Sequence, residues 1–255
     1  MNLAASTTPS AVELEAADVP AVNDPDAILL RALDWRVTPG ETWLVAGPPG
    51  CGKTSVLLVA AGLVPPAGGR HRLFGVDVGS LSEPERIACR SRVGLVFGGG
   101  GRLFPQETVA GNLTLPLSYH GRLRAPEIHA RLAEVLAALA LEPQAGRRAG
   151  ELPRRIAQRV ALARALVLGP ELLFLDDPLS GQPPDEADWW IEFAGRCRGA
   201  AGGPASLPRT LVVCTSDPRP WRGVVDRFAA IIDGRWQEGS EMEGAPEGLR
   251  PPAGA

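Results

Sequence analysis

The sequence predicts an α/β fold with a mostly parallel central sheet, and three observations carry that prediction. Short apolar runs of strand length alternate with stretches of helical periodicity, the pattern of a parallel sheet covered on both faces. One of those runs leads directly into Gly47-Pro48-Pro49-Gly50-Cys51-Gly52-Lys53-Thr54, the G-x-x-x-x-G-K-[ST] pattern of a phosphate-binding loop. The chain has 255 residues, 45% of them hydrophobic and 22% charged, enough to bury one large core.

The elements follow in chain order. Residues 1–10 are polar without periodicity and are expected to be disordered. Residues 12–37 read as short strands around a turn at Asn23-Asp24-Pro25-Asp26, and Pro39-Gly40 is a second turn. Residues 42–46 form a buried strand, 54–63 a helix, and Pro65-Pro66-Ala67-Gly68-Gly69 a break. A strand region spans 72–78, and Ser82-Glu83-Pro84-Glu85 starts a helix with proline in its first turn. A buried strand at 93–97 gives way to the flexible Gly98-Gly99-Gly100-Gly101. The helix at 125–141 places Leu132, Val135, Leu136 and Leu139 at i, i+3, i+4 and i+7, and 156–167 is a second such helix. The run 172–175, after Gly169-Pro170, is taken as a strand ending in Asp176-Asp177. A helix at 185–198, a Gly/Pro/Ser loop at 200–208, and strands at 211–214 and 228–232 complete the fold. From Gln237 onward Gly, Pro and Glu dominate, so the tail is expected to be loose.

Bulk properties exclude several classes. Net charge is −3 and the pI about 5.7, which argues against nucleic acid as a partner. No apolar run reaches the roughly 18 residues of a membrane span, and 1–17 lacks the basic and apolar regions of a secretory signal. Cys51, Cys89, Cys197 and Cys214 have no metal-type spacing and read as reduced thiols of a cytosolic protein.

The phosphate loop is singled out by its lysine. The chain carries 25 arginines and one lysine, and that lysine is Lys53. Lysine offers a compact point charge on a flexible stem where arginine offers a broad planar fork. The backbone N–H groups of Gly50, Cys51, Gly52 and Lys53 would face the phosphates of a nucleotide, aided by the dipole of the following helix. Lys53 would reach the β- and γ-phosphates and Thr54 would place its hydroxyl on Mg²⁺, with Gly47, Pro48, Pro49 and Ser55 completing the cradle. The second Mg²⁺ anchor is expected to be Asp176, a carboxylate at the tip of a buried strand. Asp177 would then face the γ-phosphate, where an attacking water is polarised. His71, His120 and His129 are separated from one another and read as structural. Trp189, Trp190 and Phe193 read as core, with a docking face as the rival.

At this point the residues resemble a known family, the ATP-binding subunits of ABC transporters, over about residues 11–240. The resemblance rests on the phosphate loop and on Val93-Gly94-Leu95-Val96-Phe97 followed by Leu103-Phe104-Pro105, Thr108-Val109 and Asn112. It rests also on the helix Gln158 to Leu166, on 173–181, and on Asp226-Arg227-Phe228 through Ile232-Asp233-Gly234-Arg235. Pro116-Leu117 and the arginine before Val160 resemble the lipid-transport subfamily that works with Mce-type proteins. The resemblance implies an antiparallel β subdomain, a helical subdomain at about 99–168, and a flexible tail at 241–255. It implies ATP and Mg²⁺ as cofactors, a second ATP-binding subunit and a membrane permease as partners, and a place on the cytoplasmic face of the inner membrane.

The chain departs from that family where catalysis is expected. The Leu-Ser-Gly-Gly-Gln signature stands here as Leu152-Pro153-Arg154-Arg155-Ile156, and Pro153 lacks an N–H. Gly98 holds the Q-loop glutamine position, Ser216 the switch histidine position, and Pro183 the D-loop aspartate position. Asp177 holds the catalytic glutamate position, one methylene and about 1.5 Å shorter. No aromatic residue precedes Trp35 to stack on adenine. The expectation is a subunit that binds Mg-ATP and hydrolyses it slowly or not at all alone. Two alternatives stand beside it: a non-catalytic partner of a competent ATPase, and a P-loop ATPase unrelated to transport.

Overall fold

The computed structural model describes residues 9–99, 103–120, 123–198 and 207–239. Sixteen elements are named below, and all lie within them. The expectations for 1–8, Gly100-Gly101, 200–206 and the tail from 240 fall outside the described residues.

Strands β1 (Val12–Ala21) and β2 (Asp24–Val37) form an antiparallel hairpin that pairs Ala21 with Asp24. The turn is therefore Val22-Asn23, and Asp24, Pro25 and Asp26, expected in the turn, belong to β2. Along β2, Leu30, Leu33, Trp35 and Val37 are buried, and Asp34 and Arg36, alternating with the last three, are exposed, as a half-buried strand requires. Strand β3 (Thr42–Ala46) is buried throughout and feeds the phosphate loop and α1 (Lys53–Ala60). The expected strand at 72–78 resolves into β4 (Gly68–Leu73) and β5 (Val76–Asp77), so Gly68-Gly69 open a strand instead of ending a helix. Gly69 holds φ +78, and a Cβ there would lie 2.2 Å from the Ala16 carbonyl oxygen.

Helix α2 (Glu83–Arg90) starts on a capping box between Ser82 and Glu85. After β6 (Val93–Val96) come α3 (Val109–His120), α4 (Ala125–Ala138) and α5 (Arg154–Leu166). Then follow β7 (Leu172–Asp176), α6 (Pro184–Arg198), β8 (Thr210–Thr215), β9 (Arg227–Ile232) and β10 (Arg235–Gly239). Helix α3 was not expected, and Pro116 lies inside it. The tail is not loose from Gln237: β10 pairs antiparallel with β9 through Gly239. Its turn is Asp233-Gly234, with φ +49 and +68, the two left-handed residues of a two-residue hairpin.

The strands assemble into an antiparallel sheet in the order β2-β1-β4-β5 and a six-stranded sheet in the order β10-β9-β3-β8-β7-β6. All pairs of the second sheet are parallel except β10 with β9. Its two faces feed two cores. Along β7, Leu173 and Leu175 enter the core shared with α3–α6, while Leu172 and Phe174 enter the one shared with α1 and the antiparallel sheet. Trp190 and Phe193 are fully buried in the first core, which decides in favour of packing over docking for that cluster.

His71, on β4, is buried. Burial lowers its pKa from the ordinary 6.5 to about 4, although one ring N–H donates to the Ala60 carbonyl. The folded state thus holds it neutral while the unfolded chain protonates it at higher pH. Its share of the stability is complete above pH 6.5 and is lost as pH falls toward 4. The chain should be about 2 kcal/mol less stable at pH 5 than at pH 7 from this group. Urea unfolding at the two pH values, with His71→Leu as the comparison, checks this; an equal loss in the variant would refute it.

Candidate nucleotide site

Strands β6, β7, β8 and β3 run parallel, so their carboxyl ends share one edge of the sheet, the edge where open α/β sheets bind ligands. Register brings the ends level: Ala46 pairs with Thr215, Cys214 with Asp176, and Val96 sits beside Leu175. Residues 47–52, Ser216, Asp176-Asp177 and Gly98 therefore meet at one edge although up to 169 positions separate them, from Gly47 to Ser216.

The phosphate loop is anchored at its start by Gly47 N–H donating to the Thr215 carbonyl at 3.2 Å. A Cβ on Gly47 would lie 2.6 Å from Cys51 Sγ and 2.8 Å from the Ile231 carbonyl oxygen, so only glycine fits. Gly50 and Gly52 hold φ +80 and +105, a region open to glycine at little cost. Cys51 N–H donates to the Pro48 carbonyl at 3.3 Å, closing a turn over Pro49-Gly50. That bond engages one of the four N–H groups expected to face phosphate. Val56 N–H makes the first helical bond, to Gly52 O at 3.0 Å, so the N–H groups of Lys53, Thr54 and Ser55 have no intrahelical acceptor.

Lys53 lies within this loop, 7% exposed. Its Nζ donates to Gly47 O at 2.6 Å, Pro48 O at 2.9 Å and Ser216 Oγ at 3.3 Å. Thr54 Oγ1 donates to Asp176 Oδ2 at 2.8 Å, joining the start of α1 to the tip of β7. Burial raises the Asp176 pKa, as does the nearby Asp177 carboxylate, while the Thr54 hydroxyl and Lys53 pull it down. A hydroxyl and a carboxylate oxygen side by side are hard donors of the kind Mg²⁺ takes, with phosphate and water supplying the rest. Among the described residues no group of three or more His, Cys, Asp or Glu forms a metal cage. Cys197 and Cys214 are inert thiols: burial pushes the first up to about 12 and the second well above its ordinary value.

The remaining expected positions are placed as follows. Asp177 sits at φ +46, and its Oδ1 accepts from Thr215 Oγ1 at 3.4 Å. Gly98 packs on the backbone of β7: a Cβ there would stand 2.9 Å from Asp176 O and 3.2 Å from Asp177 O. Pro153 caps α5 without a side-chain hydrogen bond. Arg154 Nη2 donates to Ser180 O at 3.3 Å and its guanidinium lies over Gly181.

Sequence reasoning missed how the 177–183 loop and the start of α6 are held. Gln158 Nε2 donates to Pro178 O at 2.9 Å, and Gln182 Nε2 donates to Gln158 Oε1. Arg159 forms a two-bond ion pair with the buried Glu186, 2.7 Å for each bond, and stacks 4.1 Å over Trp189. Asn112 is fully buried, bonded to Phe104 N, Phe104 O and Thr108 O, and so fixes the Leu103-Phe104-Pro105 segment.

Comparison with known proteins places this geometry in context. The sequence model of the family described as ABC transporter matches residues 30–180. The chain is 33% identical over 218 residues to the methionine import ATP-binding protein MetN of Xanthomonas oryzae pv. oryzae (strain MAFF 311018), covering 86% of this chain and 63% of that protein. It is 44% identical over 211 residues to the Fe(3+) ions import ATP-binding protein FbpC 2 of Rhodococcus jostii (strain RHA1), covering 82% and 57%. The chain thus spans under two thirds of the length of these relatives. Among solved structures, cbiO1 from Clostridium perfringens, part of the ABC transporter complex cbiONQ, superposes with a TM-score of 0.78 at 20% identity, covering 91% of this chain and 89% of that one. The ATP-binding cassette MJ0796, in a dimeric post-hydrolysis state bound to ADP and Pi, gives 0.77 at 25% identity, covering 89% and 98%.

Proposed function

This chain belongs to the ABC transporter family, and from that premise we infer that it is an ATP-binding subunit that takes Mg-ATP at the 47–55 loop. The observation that carries the reading is the join between Lys53, Thr54 and Asp176: one buried cation and two oxygen donors at the mouth of one glycine loop. Lys53, with the free N–H groups at the start of α1, would bind the phosphates, and Thr54 and Asp176 would hold Mg²⁺. The metal would neutralise phosphate charge. Gly47, Gly50 and Gly52 let the backbone come close enough.

The reading includes weak hydrolysis. Its support is that Asp177 is turned toward Thr215 and that Gly98 and Ser216 bring no group able to order water with a carboxamide or imidazole. A second ATP-binding subunit and a membrane permease are the proposed partners. The solved relatives include a dimer and a member of a transporter complex, and this chain exposes Leu115 and Tyr119 on α3 and Phe104 and Leu123 on either side of it. No described helix is long and apolar enough to cross a membrane. The proposed permease partner would be met on the cytoplasmic face of the inner membrane. Import is the direction in the names of the relatives, and we extend it to this chain.

The test is an equilibrium titration with ATP with and without Mg²⁺. Affinity should rise with Mg²⁺, and Thr54→Ala and Asp176→Asn should each remove about tenfold, ~1.4 kcal/mol, of that Mg²⁺-dependent gain. A gain that survives both changes would mean that the metal is not held by these residues.

A further inference from the structure

A cavity of about 270 Å³ lies at the opposite end of α1 from Lys53, between the loop after that helix, β4 and α2. With eight residues in α1, the two ends stand about 12 Å apart. Three guanidiniums, Arg70, Arg86 and Arg90, line it against a single carboxylate, Asp77. This is a cationic cluster in a chain whose net charge is −3.

These charges are poorly matched within the protein. Arg86 and Arg70 come only to 4.0 Å of Glu83 and 3.9 Å of Glu15. Arg90 Nε donates to the Gly62 carbonyl at 2.8 Å, which fixes its guanidinium in the wall. Asp77 Oδ1 is used by Gly79 N–H at 2.9 Å. Two further atoms of the lining are buried without a partner: Arg86 Nε, a donor, and His71 Nε2. The other ring nitrogen of His71 donates to the Ala60 carbonyl, so Nε2 carries a lone pair and is an acceptor. Buried polar atoms are almost always satisfied, and two of the six exceptions among the described residues line this one cavity, which points to a missing partner.

We propose that this cavity is a second ligand site, separate from the nucleotide site, which takes a small organic oxyanion carrying a hydroxyl group. The oxyanion, a carboxylate or a phosphomonoester, matches the guanidinium fork in geometry and charge. Its hydroxyl would donate toward His71 Nε2. The volume lies just under the usual range for small-molecule pockets, which suits a compact metabolite and excludes a nucleotide.

The probes are malate, a hydroxylated dicarboxylate, and glycerol 3-phosphate, each titrated calorimetrically into the whole chain with saturating Mg-ATP filling the phosphate loop. At least one should bind saturably, and which one does identifies the anion class. Binding should persist in Lys53→Ala, and Arg86→Gln/Arg90→Gln should weaken it about tenfold or more while leaving Mg-ATP affinity unchanged. Should that double variant fail to fold, Arg70→Gln, at a mainly exposed side chain, should weaken the same binding severalfold. Succinate, without the hydroxyl, should bind more weakly than malate if malate is the ligand. The proposal is overturned if neither probe binds, if the arginine variants bind as tightly as the parent, or if Lys53→Ala alone abolishes binding. The last result would place the anion in the phosphate loop.

Discussion

Lys53→Ala should lower Mg-ATP affinity by at least about 3 kcal/mol, some 150-fold. The ammonium would make two or more charge-assisted bonds to phosphate oxygens, each worth roughly 1.5–3 kcal/mol. The variant also loses the bonds to Gly47 O and Pro48 O that hold the loop around the site. Lys53→Arg should fail nearly as badly. A planar fork does not fit where Nζ sits 2.6 Å and 2.9 Å from two carbonyls at 7% exposure. Equilibrium binding of a fluorescent ATP analogue reads both variants. Parental affinity in Lys53→Ala would remove the basis for placing the nucleotide here.

Turnover is the second large effect. Steady-state phosphate release by the purified chain should run about 10²–10⁴-fold below that of a family member with glutamate at the Asp177 position, the span that base catalysis contributes. The carboxylate is short by one bond, and misplacement near 1 Å costs about 10²-fold. Asp177 already accepts from Thr215, and its backbone sits in the left-handed region at φ +46. Aspartate and asparagine tolerate that conformation better than most residues. Asp177→Asn should therefore change the residual rate by less than about tenfold. Asp177→Glu alone should not restore it, because Gly98 and Ser216 are unchanged beside it. An ordinary transport-ATPase rate for the unmodified chain would refute the reading.

The frame of the fold was legible because buried parallel strands are short apolar runs and because the phosphate loop announces the strand before it and the helix after it. The meeting of Thr54 and Asp176 was legible for the same reason: two motifs at strand ends come together when those strands are parallel with β8 between them. Helix α3 was hidden by its composition. Gly111, Asn112, Thr114 and Pro116 are weak or hostile helix residues, and the helix forms because Val109, Leu113 and Leu117, at i, i+4 and i+8, are buried together. Strand β10 was hidden in a tail rich in glycine and glutamate, although Asp233-Gly234 is a strong hairpin signal. The pairs Gln158 with Gln182 and Arg159 with Glu186 could not be read at all. Nothing in local sequence says which distant polar partner packing will supply.

The burial of Lys53 has a consequence for chemistry unrelated to transport. It is the only side-chain amine in the sequence, and two carbonyls and a hydroxyl hold it as an ammonium donor. An amine-directed reagent therefore meets no lysine on the surface. It can acylate this side chain only after the loop opens and those hydrogen bonds are released. The rate of acylation measured at Lys53 itself then becomes a clock for the opening of a single loop, free of the background that dozens of surface lysines impose on most proteins.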